Sequence, residues 1–192
     1  MDNRIFVSSE IGDLRKVLVH KPDIGIDRIS PKRAEELLFD DIVFLEKMQE
    51  EHVVFTDTLK MLIGDKNVLE SEQMILEALY ANPARKQRLI EAIALFEELP
   101  DTHKTLLENL ENEALVDVLI TGYCAATDQI LFDPIPNFIF TRDTAVMIND
   151  HVVITKPSKM ARQRENYLTR FIFWEHPLFK VLQDNQNIIN LN

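Results

Sequence analysis

Four glycines stand at positions 12, 25, 64 and 122, leaving 65–121 without one. A stretch that long without the residue best suited to left-handed backbone favours helix following helix. Gly64 and Gly122 mark its edges. Within it, 72–80, 84–99, 102–110 and 113–120 each carry apolar residues at three- and four-residue spacing, as in Leu89, Ile93 and Phe96. The block holds 12 acidic and 5 basic residues, so it carries -7 of the chain's net charge of -11. That charge reads either as a docking surface or, more plainly, as the solvated face of a small helical subdomain.

The flanks read differently. Arg15-Lys16-Val17-Leu18-Val19-His20 is strand-like and is closed by Lys21-Pro22 and a turn at 23–25. The spacing over 41–63 predicts a long amphipathic helix with Ile42, Leu45, Met48, His52, Phe55, Leu59 and Leu62 on its packed stripe. Asp40 fits its N-cap, Asp41 its first turn, and Phe39 with Phe44 a hydrophobic staple, a better-supported reading than paired catalytic carboxylates. Segments 135–143 and 146–154 are rich in β-branched and aromatic residues, with Asn149-Asp150 as a tight turn. Pro157 and Ser158 then end the strand and open a helix over 159–174, with Ser158 as N-cap. The fold class is α+β with an all-helical insertion, and the divisions fall at 1–64, 65–122 and 123–192.

The composition, 46% hydrophobic and 28% charged over 192 residues, is that of a soluble globular protein. A net charge of -11 argues against nucleic acid and anionic membrane surfaces as partners. One cysteine allows no internal disulfide, and no secretory signal or apolar run of roughly 20 residues is present, so a cytoplasmic location is expected. His20, His52, His103, His151 and His176 have no metal-ligand spacing among themselves or with Cys124, so neither metal nor cofactor is expected. His52 reads as a core histidine and Cys124 as inert packing.

The run Pro136-Asn137-Phe138-Ile139-Phe140-Thr141-Arg142-Asp143 ends an apolar strand-like segment on a charged pair. A carboxylate there is costly to desolvate without a cation. Arg142 would point to the opposite strand face, so the cation comes from elsewhere. It is either a structural partner or a ligand's guanidinium, whose fork of donors matches two carboxylate oxygens. Further on, Arg162 and Arg164 sit near a helix start, against its dipole, where a carboxylate would offset them; ordinary exposed arginines are the alternative.

Four segments together resemble the N-terminal part of the arginine deiminases, guanidine-modifying enzymes of the pentein superfamily: Ser9-Glu10-Ile11-Gly12-Asp13-Leu14-Arg15-Lys16-Val17-Leu18-Val19-His20-Lys21-Pro22, Glu36-Leu37-Leu38-Phe39-Asp40-Asp41-Ile42, the 136–143 run, and Arg162-Gln163-Arg164-Glu165. The resemblance implies a partial α/β propeller of strand and helix units, with the helical block inserted. It implies a hydrolase converting L-arginine to citrulline and ammonia through a covalent cysteine intermediate. Asp143 would bind the substrate guanidinium and take part in proton transfer, Phe140 would pack on the substrate, and Asn137 and Arg162 would hold its α-carboxylate. The alternatives are an inactive arginine-binding or protein-binding pentein, an amidinotransferase or a dimethylarginine hydrolase. The family's nucleophile and histidine motifs belong to its C-terminal half, and Cys124 lacks the nucleophile's context. The chain alone is therefore expected to be an inactive N-terminal part, and uncovered repeat units make homo-oligomers an expectation. Six residues of straight strand at about 3.3 Å each would hold Asn137 and Asp143 roughly 20 Å apart. If both serve one ligand, the backbone must break near 140–142.

Overall fold

The computed structural model describes residues 5–29, 34–38 and 44–191. The expected cap at Asp40 and Asp41, and Phe39 with Ile42, lie outside the described residues.

Strand β1 (Val17–Val19) leads into a short turn of helix, α1 (Ile24–Asp27), whose N-cap Asp23 accepts from the amide of Gly25 at 2.6 Å. The long helix α2 (Leu45–Ile63) then crosses to β2 (Val68–Glu70), which pairs parallel to β1 with Val17 opposite Val68. This is a β-α-β unit. Strand β2 lies inside the segment 65–122 that was expected to be helical, and its partner is β1. The helices proper are α3 (Ser71–Ala81), α4 (Lys86–Phe96), α5 (Asp101–Asn109) and α6 (Asn112–Thr121).

Gly122 ends α6 with φ 74°, its amide donating to the Val118 carbonyl at 2.8 Å. A Cβ at this position would lie 2.0 Å from the Phe132 carbonyl oxygen, so a left-handed turn and a close backbone approach both require glycine. A two-residue ladder, β3 (Tyr123–Cys124) with β4 (Gln129–Ile130), comes next. The chain then folds through a 3₁₀ turn at Pro136–Ile139 and one helical turn, α7 (Thr141–Thr144), into the hairpin of β5 (Ala145–Ile148) and β6 (His151–Ile154). Asn149 turns that hairpin at φ 52°, in the turn expected from Asn149-Asp150. A 3₁₀ turn at Met160–Arg162 leads into α8 (Gln163–Glu175), then α9 (Lys180–Asp184) and β7 (Ile188–Asn190), which adds parallel to β6. A second β-α-β unit results.

Two local expectations are corrected. Residues 135–143 are not a strand: the amides of Phe138, Phe140 and Asp143 donate three residues back, to Ile135, Asn137 and Phe140, at 2.9–3.0 Å. Local turns consume the groups a strand would have paired. Ser158 does not cap α8, which starts at Gln163 after the Met160–Arg162 turn, without a side-chain cap.

The helical block shares one core with α8. Ile75 and Leu79 of α3, Ile90 and Ile93 of α4, and Leu115 and Leu119 of α6 pack in one cluster with Leu168 and Ile172 of α8, all fully buried. Helix α2 behaves differently. Leu45, Met48, His52 and Leu59 of the expected stripe are half-buried, but Phe55 (53%) and Leu62 (74%) are exposed, as are Phe44, Val54 and Met61. The helix is apolar on two sides, and β1 and β2 do not cover both. The described strands form three separate small sheets, and no closed ring of units is present among the described residues. The architecture is mixed α and β, and no helix among the described residues is long and apolar enough to cross a membrane.

Candidate functional site

The corner made by Pro136–Ile139 and α7 is held from three sides. Thr141 Oγ1 donates to the Leu18 carbonyl of β1 at 2.9 Å, and Thr155 Oγ1 donates to the Asp143 carbonyl at 2.6 Å. Arg142 pairs with Glu10 of the N-terminal segment. The sharp bend required of 136–143 is therefore present, although as a folded turn rather than a broken strand.

Across this corner lies Arg162. Its Nη1 donates to Asp143 Oδ2 at 2.9 Å, and its Nη2 reaches the Asn137 carbonyl at 3.4 Å. One guanidinium thus touches both residues that a straight strand would have separated. The other edge of Arg162 is gripped by Glu165, three residues along: Nε donates at 3.0 Å and Nη2 at 2.8 Å to Oε2. Glu165 is 1% exposed. Burial pushes its carboxyl up from 4.5 to about 7, against the opposing pull of Arg162. The helix-dipole penalty at Arg162 is offset by two carboxylates of the same chain.

The four expected site residues occupy distinct settings. The carboxylate of Asp143 is half-exposed and paired with Arg162, and the Phe140 ring beside it is half-exposed. Asn137 is buried, and its side-chain amide donates to the Leu37 carbonyl at 2.6 Å, which leaves its second N–H and its oxygen for other partners. Arg164 parts company with Arg162. It is 2% exposed, donates to the carbonyls of Leu119 and Asp133, pairs with Glu97, and lies over the Phe132 ring at 4.3 Å. It is a packing clamp, not an exposed arginine or a ligand contact.

Two features escaped the sequence reading. Glu165 follows Arg162 at a spacing that puts both on one helix face, a signal that was available. The second is His20, fully buried, with Nε2 3.1 Å from Asp23 and Nδ1 3.2 Å from Glu70, and its ring 4.7 Å from that of Phe138. Burial lowers its pKa, but Asp23 and then Glu70 outweigh it and raise it from 6.5 to about 9. This imidazolium lies directly beneath the corner. Cys124 is buried, as expected of a packing cysteine, and His52 is half-buried with its pKa lowered by burial. Among the described residues no group of three His, Cys, Asp or Glu side chains is arranged to hold a metal ion.

The family model described as Arginine deiminase matches residues 35–126 and 107–189. An arginine deiminase of Limosilactobacillus fermentum is 36% identical over 201 residues, covering 93% of this chain and 48% of that protein. One from Borrelia garinii subsp. bavariensis is 32% identical, and one from Borreliella afzelii 31%, each over 198 residues with the same coverage. The chain belongs to the arginine deiminase family. It spans about half the length of the curated relatives it matches.

Proposed function

We propose that this chain supplies the substrate-holding wall of a cytoplasmic arginine deiminase, a hydrolase that converts L-arginine to citrulline and ammonia. The observation that carries the reading is the half-exposed Asp143 carboxylate beside Phe140 and Arg162, in a chain of this family. Asp143 receives the guanidinium through charge-assisted hydrogen bonds and exchanges protons with it as the carbon becomes tetrahedral. Phe140 covers the aliphatic and guanidinium faces. Arg162 takes the α-carboxylate, and the free N–H of Asn137 assists it.

In this reading the cysteine thiolate that attacks the guanidinium carbon, and the histidine that relays protons, come from the half of the family that the chain does not match. Buried Cys124 is not the nucleophile. The two β-α-β units are part of the proposed propeller, with the helices between β2 and β3 as its insertion, and L-arginine is the small-molecule partner. The test is citrulline release by the full-length gene product containing residues 1–192. L-arginine turnover lost in Asp143→Ala with the fold retained supports the reading; unchanged turnover refutes it.

A further inference from the structure

Arg162 is held at two ends that differ in permanence. Its Nη1 end meets Asp143, whose carboxylate is half-exposed; its Nε and Nη2 edge meets Glu165, which is almost completely buried in the first turn of the 13-residue helix α8. We propose that Glu165 is a positioning residue that keeps Arg162 aimed at the ligand's carboxylate once a ligand guanidinium has taken Asp143.

This rests on the functional reading above. A guanidinium arriving at Asp143 competes with Arg162 for the same carboxylate and repels it, so the 2.9 Å contact weakens on binding. Arg162 would then be a long side chain with one partner fewer and several free rotamers. Glu165 restrains it through contacts at 3.2, 3.0 and 2.8 Å that use only the edge turned away from Asp143. Nη1 remains available for the ligand. The charged groups facing Glu165 are Arg162 of the preceding turn, Asp143 of α7 and Arg164 of its own helix. Two arginines favour its ionised form while Asp143 opposes it. A buried carboxylate whose proton is lost only near pH 7 is a poor choice for packing alone, since a neutral isostere would avoid the desolvation.

The experiment compares two probes in the full-length gene product at pH 8: L-arginine as substrate, its affinity read from KM, and agmatine, which is arginine without its carboxylate, as competitor, its affinity read from the inhibition constant. In Glu165→Gln the affinity for L-arginine falls about tenfold while that for agmatine changes by less than about twofold. In an Arg162→Lys background the same substitution changes L-arginine affinity little further, because Glu165 acts through Arg162. Equal losses for both probes, no loss for either, or full additivity with Arg162→Lys overturns the proposal. An unmutated protein that binds L-arginine no better than agmatine overturns the functional reading itself, and this inference with it.

Discussion

Asp143 and Arg162, 19 residues apart in the chain, share one hydrogen-bonded ion pair of 2.9 Å. In the proposed function they serve opposite ends of the same amino acid. A ligand whose own guanidinium and carboxylate are separated by an aliphatic chain cannot fit between groups that touch. On that proposal the pair opens, and the ligand replaces one internal contact with two of its own.

Removal of the Asp143 carboxylate should therefore cost catalysis and little stability. Its partner contact is half-exposed, and such pairs contribute ~1 kcal/mol or less. In the full-length gene product, Asp143→Ala is expected to lose at least about a hundredfold in citrulline formation, equivalent to ~3 kcal/mol of transition-state binding, with a melting temperature close to the parent's.

For Glu165 the sign is reversed. Its folded pKa is raised from 4.5 to about 7, so its contribution to stability is fully present below pH 4.5 and declines as pH rises through 7. The shift corresponds to a cost on the order of 3 kcal/mol for holding it ionised. Glu165→Gln is expected to melt higher than the parent at pH 8 and to lose that advantage by pH 4.5, as thermal unfolding across that range would show.

His20 also has a raised pKa, but its stabilising form is the charged one. Its contribution is complete below pH 6.5 and disappears as pH rises through about 9, on the order of 3 kcal/mol in all. Urea unfolding at pH 6 and pH 10 should show this loss in the parent. His20→Gln should be less stable at pH 6 and nearly flat over the same interval.

Arg164→Ala should be a folding defect. It leaves Glu97 and the carbonyls of Leu119 and Asp133 without their common donor, a loss of ~3–5 kcal/mol for a buried pair. Arg162→Ala, two residues away, should also destabilise the fold, by leaving buried Glu165 without its main partner, but unlike Arg164→Ala it should in addition lose L-arginine recognition. Thermal melting and the KM for L-arginine of the two variants in the full-length gene product separate these roles.

Legibility in the sequence followed the range of the interaction. The hairpin around Asn149-Asp150 and the helices between Gly64 and Gly122 depend on periodicity and turn chemistry, and both were readable. The segment 136–143 was misread because Phe138, Ile139 and Phe140 carry strand propensity, while Pro136 and local three-residue hydrogen bonds determine its shape. Asp143 stood out as a carboxylate in want of a cation, but that the cation is Arg162 depends on a tertiary approach that no local pattern encodes. The stripe on α2 mixed residues from both apolar sides, because a helix with two apolar sides gives period without saying which side is covered. The pairing of His20 with Glu70 was not legible because Glu70 reaches it only through the parallel register of β1 with β2.

The buried clamp at Arg164 has a geometric consequence for its neighbour. By engaging backbone carbonyls at 119 and 133 together with Glu97, it sets the rotational phase of α8 about its own axis. Successive residues leave an α-helix about 100° apart, so a slip of a single position would swing Glu165 out of its buried seat and Arg162 away from Asp143. The orientation of the site's cation is thus indexed from inside the protein, by a residue that never meets the solvent side of the corner.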